Sequence, residues 1–323
     1  MHCQSRCLTC NIWQLKPVGE LTIEEIREFA RKNSYFRWIE ITGGEPFLRS
    51  DIVDIVRAFK ENSRGLYIVT IPTNSLTNPD VIAKRLGEIL NLRIPKVVIT
   101  LSLDGYRELH DKIRGVPGNY DKVIAMYRKL KELQKTHKNL GFVFGYTMSA
   151  YNAGQLMETF RRVKSELPEV TFNDFHINLA QESDNYYHNA ENSVSYKADN
   201  AKAAAEIKEF IKNRKASAAP EQVIENAFLK NLVKFANTGK PPLRSRSMEA
   251  SLFMDNMGNI YPSIMWNRRI GNVREIGFDL SKVWDGSEAR EVRRLIKEGM
   301  EPIHWTSCEA YQSLTGKVTK LIL

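Results

Sequence analysis

The sequence is poor in cysteine. It has four in 323 residues, and three of them, Cys3, Cys7 and Cys10, lie within the first ten. No apolar run approaches the roughly 20 residues that span a bilayer, which argues against a transmembrane helix. The polar start also lacks the apolar core of a secretory signal. We therefore predict a cytoplasmic location. Because reducing compartments disfavour disulfides, cysteines clustered there indicate metal or redox chemistry.

The sequence also has no arginine-rich tract and no recognisable nucleic-acid-binding module, so a nucleic-acid partner is not expected. Its net charge is +9. Residues 201–323 contain 20 Lys and Arg against 14 Asp and Glu, which places +6 of that excess in the C-terminal third. Such an excess favours an anionic substrate or an acidic peptide, although a solvated basic surface gives the same composition.

Hydrophobic periodicity alternates between helix and strand over the first two thirds of the chain. Strands are predicted at 36–42, 65–74, 96–105, 141–149 and 171–180, and helices at 21–33, 51–62, 78–91, 119–137, 152–167 and 198–215. Strands that alternate with helices through short connections predict parallel βαβ units. Polar, Gly-rich segments directly follow the strands, and in barrels of this class the carboxyl ends of the strands carry the chemistry. The pattern therefore predicts a barrel or partial barrel.

The pattern changes from about residue 216. A helix is predicted at 221–237, a linker at 238–246, a hairpin at 251–266 that turns near Gly258, and helices at 280–299 and 305–316. This segment is predicted to be a small α+β appendage. We accordingly divide the chain into a core at 1–216, a helix and linker at 217–246, and a C-terminal domain at 247–323.

Three thiolates spaced C-x3-C-x2-C can converge on a soft metal or cluster. A structural zinc site requires four closed ligands, and His2 would be an awkward fourth here. Three thiolates suit a 4Fe-4S cluster that leaves one iron open for a ligand. Zinc-stabilised structure remains the alternative, with Cys308 or His2 completing the ligand set.

Four motifs follow one another along the chain: C-x3-C-x2-C at Cys3, Cys7 and Cys10, the tetrapeptide Gly43-Gly44-Glu45-Pro46, IPTNS at 71–75, and TLSLDGYRELHDKIRG at 100–115. Together they resemble the radical S-adenosylmethionine (radical SAM) superfamily. The tail, including DNMGNIYPSIMW and HWTSCEAYQ, resembles the twitch or SPASM extension of many members.

The resemblance implies an α/β fold, a partial (β/α)6 TIM-like barrel with a small α+β C-terminal domain. It implies that the three cysteines ligate a 4Fe-4S cluster and that S-adenosylmethionine binds the fourth iron. It assigns no catalytic residue. The implied cofactor-binding residues are Gly43, Gly44, Glu45 and Pro46 at the amino group, Ser102 and Asp104 near the ribose or the amino-acid end, Asn74 in the same cavity, Arg114 on the carboxylate, and Asn152 and Asn178 on the adenosyl part.

The sequence departs from the family pattern at both ends. Only Met1 and His2 precede the cysteine loop where the family has a strand, so we expect a missing first strand, from a truncated start or from a barrel that lacks it. In the tail, Ser263 and His304 stand where auxiliary-cluster cysteines are expected, and only Cys308 remains. A degenerate extension without its own cluster is therefore predicted, and Cys308 is interpreted as a buried small hydrophobe.

The sequence thus predicts a radical SAM enzyme that cleaves S-adenosylmethionine reductively to a 5′-deoxyadenosyl radical, which abstracts hydrogen from a substrate. A peptide, a cofactor precursor and a lipid are all compatible substrates, because fold does not choose function. The expected electron donor is a flavodoxin or ferredoxin. The lost tail cysteines and the missing first strand also motivate a second hypothesis, a non-catalytic descendant that acts as a binding or scaffold protein.

Overall fold

The computed structural model describes residues 2–16, 18–191 and 200–316. Within these residues no helix is long and apolar enough to cross a bilayer. The strands are β1 (Trp38–Glu40), β2 (Ile68–Thr73), β3 (Lys96–Ser102), β4 (Leu140–Met148), β5 (Phe175–Leu179), β6 (Phe253–Met254), β7 (Asn259–Tyr261) and β8 (Gly271–Asn272). The helices are α1 (Ile23–Lys32), α2 (Ile52–Asn62), α3 (Pro79–Leu90), α4 (Glu108–Arg114), α5 (Asn119–Thr136), α6 (Leu156–Glu166), α7 (Asn200–Lys212), α8 (Pro220–Thr238), α9 (Ser281–Trp284), α10 (Ser287–Lys297) and α11 (Ser307–Thr315).

Local sequence signals set several of these elements. Thr22 caps α1, accepting from the Glu25 N–H, while the Glu25 carboxylate accepts from the Thr22 N–H, which forms a capping box. Asn78 caps α3 in a similar way, with a proline at the first helical position. The predicted helix at 280–299 forms as two pieces, α9 and α10, separated at Gly286. Glycine lowers helix propensity, so a break at that residue is physically reasonable.

The first five strands form one parallel sheet in the order β1-β2-β3-β4-β5. The sheet curls into a half-barrel with helices on its outer side, which confirms the predicted partial-barrel class. Along β3 the two faces differ clearly. Val97, Ile99 and Leu101 are fully buried toward the helices, whereas Val98 and Thr100 are only half-buried on the concave side. Parallel strands covered by helices require such an apolar outer face.

Two helices close the open side of the half-barrel, between β5 and β1. Phe228 of α8 stacks on His176 of β5, with ring centroids 5.4 Å apart. Phe228 also contacts Tyr311 of α11 at 5.3 Å, and Tyr311 stacks on Trp38 of β1 at 5.7 Å. The five strands, α8 and α11 therefore surround a common interior.

The C-terminal segment packs against the start of the chain. Strands β6, β7 and β8 form a small antiparallel sheet, and β6 and β7 flank the turn that the sequence predicts at Gly258. Buried Asn33, directly after α1, donates to the Phe278 carbonyl and accepts from the Leu280 N–H. One buried core cluster includes residues from Leu21 to Ala310. The domain boundaries at 216 and 246 stay a prediction, and residues 317–323 of the third predicted domain lie outside the described residues.

Candidate active site

The N-terminal cysteine loop lies across the carboxyl end of the half-barrel. Within 2–16 the described backbone forms one short 3-10 turn, Ile12–Gln14, and no strand. Backbone hydrogen bonds to three other loops therefore determine its position. They run from the Glu45 N–H to the His2 carbonyl (2.8 Å), from Arg6 N–H to the Arg114 carbonyl (2.9 Å), from Leu8 N–H to the Ile113 carbonyl (2.9 Å) and from Asn11 N–H to the Tyr187 carbonyl (2.8 Å).

Each of the three sulfurs in this loop has an N–H donor nearby. Asn74 Nδ2 lies 3.6 Å from Cys3 Sγ, and Arg114 Nη1 lies 3.9 Å from Cys7 Sγ. Cys10 accepts from the backbone N–H of Ile12. Burial raises the pKa of all three thiols, that of Cys10 to about 12, while the Arg114 charge and the hydrogen bonds from the Ser5 and Ile12 backbone act in the opposite direction. A bound cation would favour the thiolates, and the donors are arranged to stabilise that form.

Gly43 and Gly44 bring the end of the first βα unit against the cysteine loop. Gly43 has φ +128°, a conformation that L side chains rarely adopt. A Cβ on Gly44 would lie 2.0 Å from the His2 carbonyl oxygen and 3.2 Å from Cys3 Cβ. Both glycines line the central cavity. The first is therefore required by its backbone angle and the second by the close approach of the N-terminal segment.

Glu45 points away from the cavity and ties this loop to β2. Its carboxylate accepts from the Asn74 N–H (2.7 Å), the Phe47 N–H (3.1 Å) and the Thr73 hydroxyl (3.0 Å). Burial raises its pKa to about 7, against the effect of these donors. Pro46 begins the 3-10 turn that follows and is itself buried. Both residues position Gly43, Gly44 and Asn74 and do not themselves line the cavity.

Asp104 and Arg114 form a buried ion pair behind the cavity. Arg114 Nε lies 2.6 Å from Asp104 Oδ2, with side chains 15% and 2% exposed. Asp104 Oδ1 also accepts from the Thr147 N–H at 3.0 Å. Asn152 is buried beneath them and donates to the Asp104 carbonyl (2.8 Å) and the Thr147 carbonyl (3.0 Å). Asp104 and Asn152 thus hold the ends of β3 and β4 together, and Asp104 orients Arg114 toward Cys7.

One cavity collects most of the predicted site residues. Cys3, Cys7, Cys10, Gly43, Gly44, Asn74, Ser102 and Arg114 line it, whereas Glu45, Pro46, Asp104, Asn152 and Asn178 do not. Asn178 lies on β5, where its Nδ2 is 2.7 Å from His176 Nε2. The structure adds Trp13, Thr42 and Thr147, which sequence reasoning did not assign, together with Gln181, Tyr186 and Tyr187 from the polar, aromatic loop after β5. Thr42 and Thr147 follow or end predicted strands, a position that could have singled them out.

The donor set fits a multi-iron cluster better than a single metal ion. Across 2–16, 18–191 and 200–316, no three His, Cys, Asp or Glu side chains converge on a point where they could hold one ion. A tetrahedral zinc site requires such convergence. In an iron–sulfur cluster each thiolate binds a different iron, so three thiols around one cavity suffice. The N–H donors at each sulfur suit the same group, because hydrogen bonds to sulfur tune such clusters.

The fold is a curled parallel half-barrel with a cysteine loop at the carboxyl ends of its strands. Comparison with known protein families identifies the class of protein to which this fold and site belong. The profile of the Radical SAM superfamily matches residues 2–163, just over half of the chain. The chain therefore belongs to the radical SAM superfamily, whose member enzymes use a 4Fe-4S cluster and S-adenosylmethionine.

Curated relatives in this superfamily have several activities. The chain is 28% identical over 181 residues to the AdoMet-dependent heme synthase of Methanosarcina barkeri. The aligned region covers 54% of this chain and 48% of that protein. It is 27% identical over 201 residues to the probable GTP 3′,8-cyclase of Methanocaldococcus jannaschii, covering 60% and 61%. It is 22% identical over 297 residues to the pre-heme d1 synthase of Dinoroseobacter shibae, covering 85% and 69%. The chain thus spans about half the length of the heme synthase.

Solved structures give the same fold over a larger part of the chain. Native anSMEcpe with bound AdoMet superposes with a TM-score of 0.60 at 18% identity, covering 90% of this chain and 79% of that one. The complex of the same protein with AdoMet and the Kp18Cys peptide gives 0.61, also at 18% identity, covering 93% and 81%. At this identity the likeness establishes the fold alone.

Proposed function

We propose that this chain binds a 4Fe-4S cluster through Cys3, Cys7 and Cys10 and uses it to cleave S-adenosylmethionine. The supporting observation is that the three thiols share one cavity with Gly43, Gly44 and the polar ends of the strands. When bound, these cofactors supply one-electron chemistry that ends in hydrogen abstraction from a substrate. The chain itself binds and orients these cofactors and excludes water from the site.

The lining residues have distinct parts in this proposal. Gly43 and Gly44 allow a ligand to approach the backbone closely, and the Ser102 hydroxyl faces the same space. Asn74 and Arg114 place N–H donors beside the sulfurs of Cys3 and Cys7, respectively. The ion pair with Asp104 holds Arg114 in position. Asn152 and Asn178 act only through neighbouring groups, because the first bonds the β4 loop and the second His176.

The substrate is proposed to be a small molecule or a peptide. Two of the relatives described above are named for heme-related synthesis and one for GTP cyclisation, and an anSMEcpe complex contains a peptide. Reduction by a flavodoxin or ferredoxin and a cytoplasmic location belong to the same proposal. The zinc alternative would need a fourth ligand besides the three loop thiols. The scaffold alternative stays open to the test below.

The test is anaerobic reconstitution with iron and sulfide, followed by dithionite reduction and assay for 5′-deoxyadenosine. The wild-type chain is expected to take up about four irons and to form deoxyadenosine. Cys7→Ala is expected to lose both, because no other described thiol can replace its sulfur in the loop. Cys308→Ala is the matched control for iron content and is expected to keep its iron.

The outcomes separate the three hypotheses. Stoichiometric zinc without iron uptake would establish the structural-domain alternative. A wild-type protein that binds iron and S-adenosylmethionine but forms no deoxyadenosine would favour the non-catalytic descendant. Equal iron content in the Cys7→Ala and Cys308→Ala variants would contradict the ligand assignment.

A further inference from the structure

The inner face of β1 carries a carboxylate that the cofactor site does not use. Trp38 Nε1 donates to the Thr70 hydroxyl on the neighbouring strand at 3.1 Å, and Thr42 lines the central cavity. Successive side chains of a strand alternate between its faces, so Glu40 shares the concave side with Trp38 and Thr42. Glu40 therefore points into the interior that the half-barrel encloses.

Glu40 lies in a recess rather than on the outer surface. Its side chain is accessible to water. Burial by surrounding protein nevertheless raises the pKa of its carboxyl group, and the Cys308 thiol forms a hydrogen bond with it. Cys308 lies on α11, three residues before Tyr311, whose ring stacks on Trp38. The recess is thus bounded by β1 on one side and by α11 on the other.

The cations and donors near Glu40 are engaged elsewhere. His176 is bound to Glu225, with Nδ1 at 3.0 Å from Oε1 and 3.1 Å from Oε2. The Tyr311 hydroxyl donates to Glu225 at 2.5 Å. Among the described residues Glu40 has no ion pair, so no protein cation balances the charge of its carboxylate.

The wall around Glu40 is aromatic. Trp38 and Tyr311 form one side, and the hydroxyl of Tyr186 lies 2.8 Å from Thr42 Oγ1, one strand repeat from Glu40. Burial raises the pKa of the Tyr186 and Tyr187 phenols, and the nearby charge of Glu40 adds to the effect. Tyr186 and Tyr187 also line the cofactor cavity. Tyr186 and Tyr187 therefore adjoin both the cofactor cavity and Glu40.

We propose that Glu40 binds a cationic group of the substrate, such as an ammonium or amidinium, held among Trp38, Tyr186 and Tyr311. This substrate class rests on the proposed function, since it assumes that the interior admits a substrate beside the cofactors. A carboxylate with aromatic neighbours is suited to an organic cation, because aromatic faces also attract positive charge. Glu40 thus has the opposite preference to the chain as a whole, whose net charge of +9 favours anions.

The test uses benzylammonium as the cationic probe and benzoate as its anionic counterpart. Binding is measured by calorimetry on the reconstituted protein with S-adenosylmethionine present. Benzylammonium is expected to bind wild-type protein about tenfold or more tighter than the Glu40→Gln variant, and benzoate is expected not to bind. Glu88→Gln on the exposed surface of α3 is the matched loss of one negative charge, and it is expected to bind benzylammonium like wild type.

A melting curve of the Glu40→Gln variant separates binding from structure. A melting temperature equal to or above that of wild type is expected, because the variant removes a charge that has no ion pair. A lower melting temperature would assign Glu40 a structural role and overturn the proposal. Equal affinity of wild type and Glu40→Gln for benzylammonium, or no binding at all, would overturn it as well. Absence of deoxyadenosine from the same wild-type sample would instead refute the proposed function.

Discussion

Two segments bring cysteine to the interior of this protein, and they are held in different ways. The N-terminal loop with Cys3, Cys7 and Cys10 is positioned by hydrogen bonds to other loops and to the end of α4, and several of these bonds join backbone groups. The C-terminal helix α11 with Cys308 is positioned by side chains, through the Trp38–Tyr311 stack and the Tyr311–Glu225 hydrogen bond. The first arrangement is sensitive to backbone crowding, whereas the second is sensitive to individual rings and hydroxyls.

The electrostatic surroundings of the thiols also differ between the two segments. Arg114 lies beside Cys7 and favours its thiolate. Cys308 has the Glu40 carboxylate beside it, and burial together with that charge raises the pKa of its thiol. A thiolate is the form that binds iron. The comparison therefore explains physically why three cysteines suit a metal group and why the fourth suits a neutral thiol.

Among the variants that test this comparison, Arg114→Leu is expected to have the largest effect on stability and iron uptake. Removing one partner of a buried ion pair leaves Asp104 unpaired and typically costs about 3–5 kcal/mol of unfolding free energy. The variant also removes the cation beside Cys7, so iron uptake is expected to fall. Chemical denaturation and iron analysis check both effects. Arg161→Leu, which breaks the exposed pair with Glu158, is expected to change neither, and an equal loss in both variants would refute this reading.

A smaller effect is expected from Gly44→Ala. The new Cβ would meet the His2 carbonyl at 2.0 Å, so the cysteine loop must shift. Overpacking of this kind costs about 1–3 kcal/mol, and a displaced Cys3 is expected to lower iron content. Gly87→Ala in α3 is the control, because nothing lies within 4 Å of its Cβ. That change is expected to stabilise the protein by about 0.5–1 kcal/mol. Full iron content in Gly44→Ala would show that the loop is not held by this contact.

The smallest effect is expected from Tyr311→Phe. The ring and its stack on Trp38 remain, while the hydroxyl bond to Glu225 is lost. Because Glu225 keeps its bonds to His176, the expected cost is about 1 kcal/mol, measured by denaturant unfolding. Iron uptake should be unchanged. A variant that loses iron would show that the two segments are coupled, which would break the comparison.

Much of the barrel is predictable from the sequence. The strands predicted at 65–74, 96–105 and 141–149 correspond to β2, β3 and β4, and the long helix predicted at 119–137 is α5. The strand predicted at 36–42 is shorter, Trp38–Glu40, because the following residues already form the glycine loop. The strand predicted at 171–180 begins as a 3-10 turn, Phe172–Asp174, closed by a Thr171–Asp174 capping box. Periodicity locates elements well and their ends less well.

The site was less predictable than the fold. The cysteine spacing and the Gly-Gly pair identify residues that do line the cavity. The motifs at 43–46 and 100–115 also contain Glu45 and Asp104, and these two side chains, like that of Asn152, support the site from behind. A motif fixes which residues are near one another along the chain. Which of them face the ligand depends on strand registers and loop angles that a motif does not encode.

The sequence by itself determined the superfamily, the parallel sheet and the three clustered thiols, because periodicity and residue spacing are local properties of the chain. Only the tertiary structure decided that α8 and α11 close the half-barrel, and that Glu40 on β1 meets Cys308, 268 positions away. It likewise decided that Arg114 is held by Asp104. These are contacts between distant segments, and their physical origin is the packing of aromatic rings and the pairing of buried charges, which no local pattern specifies.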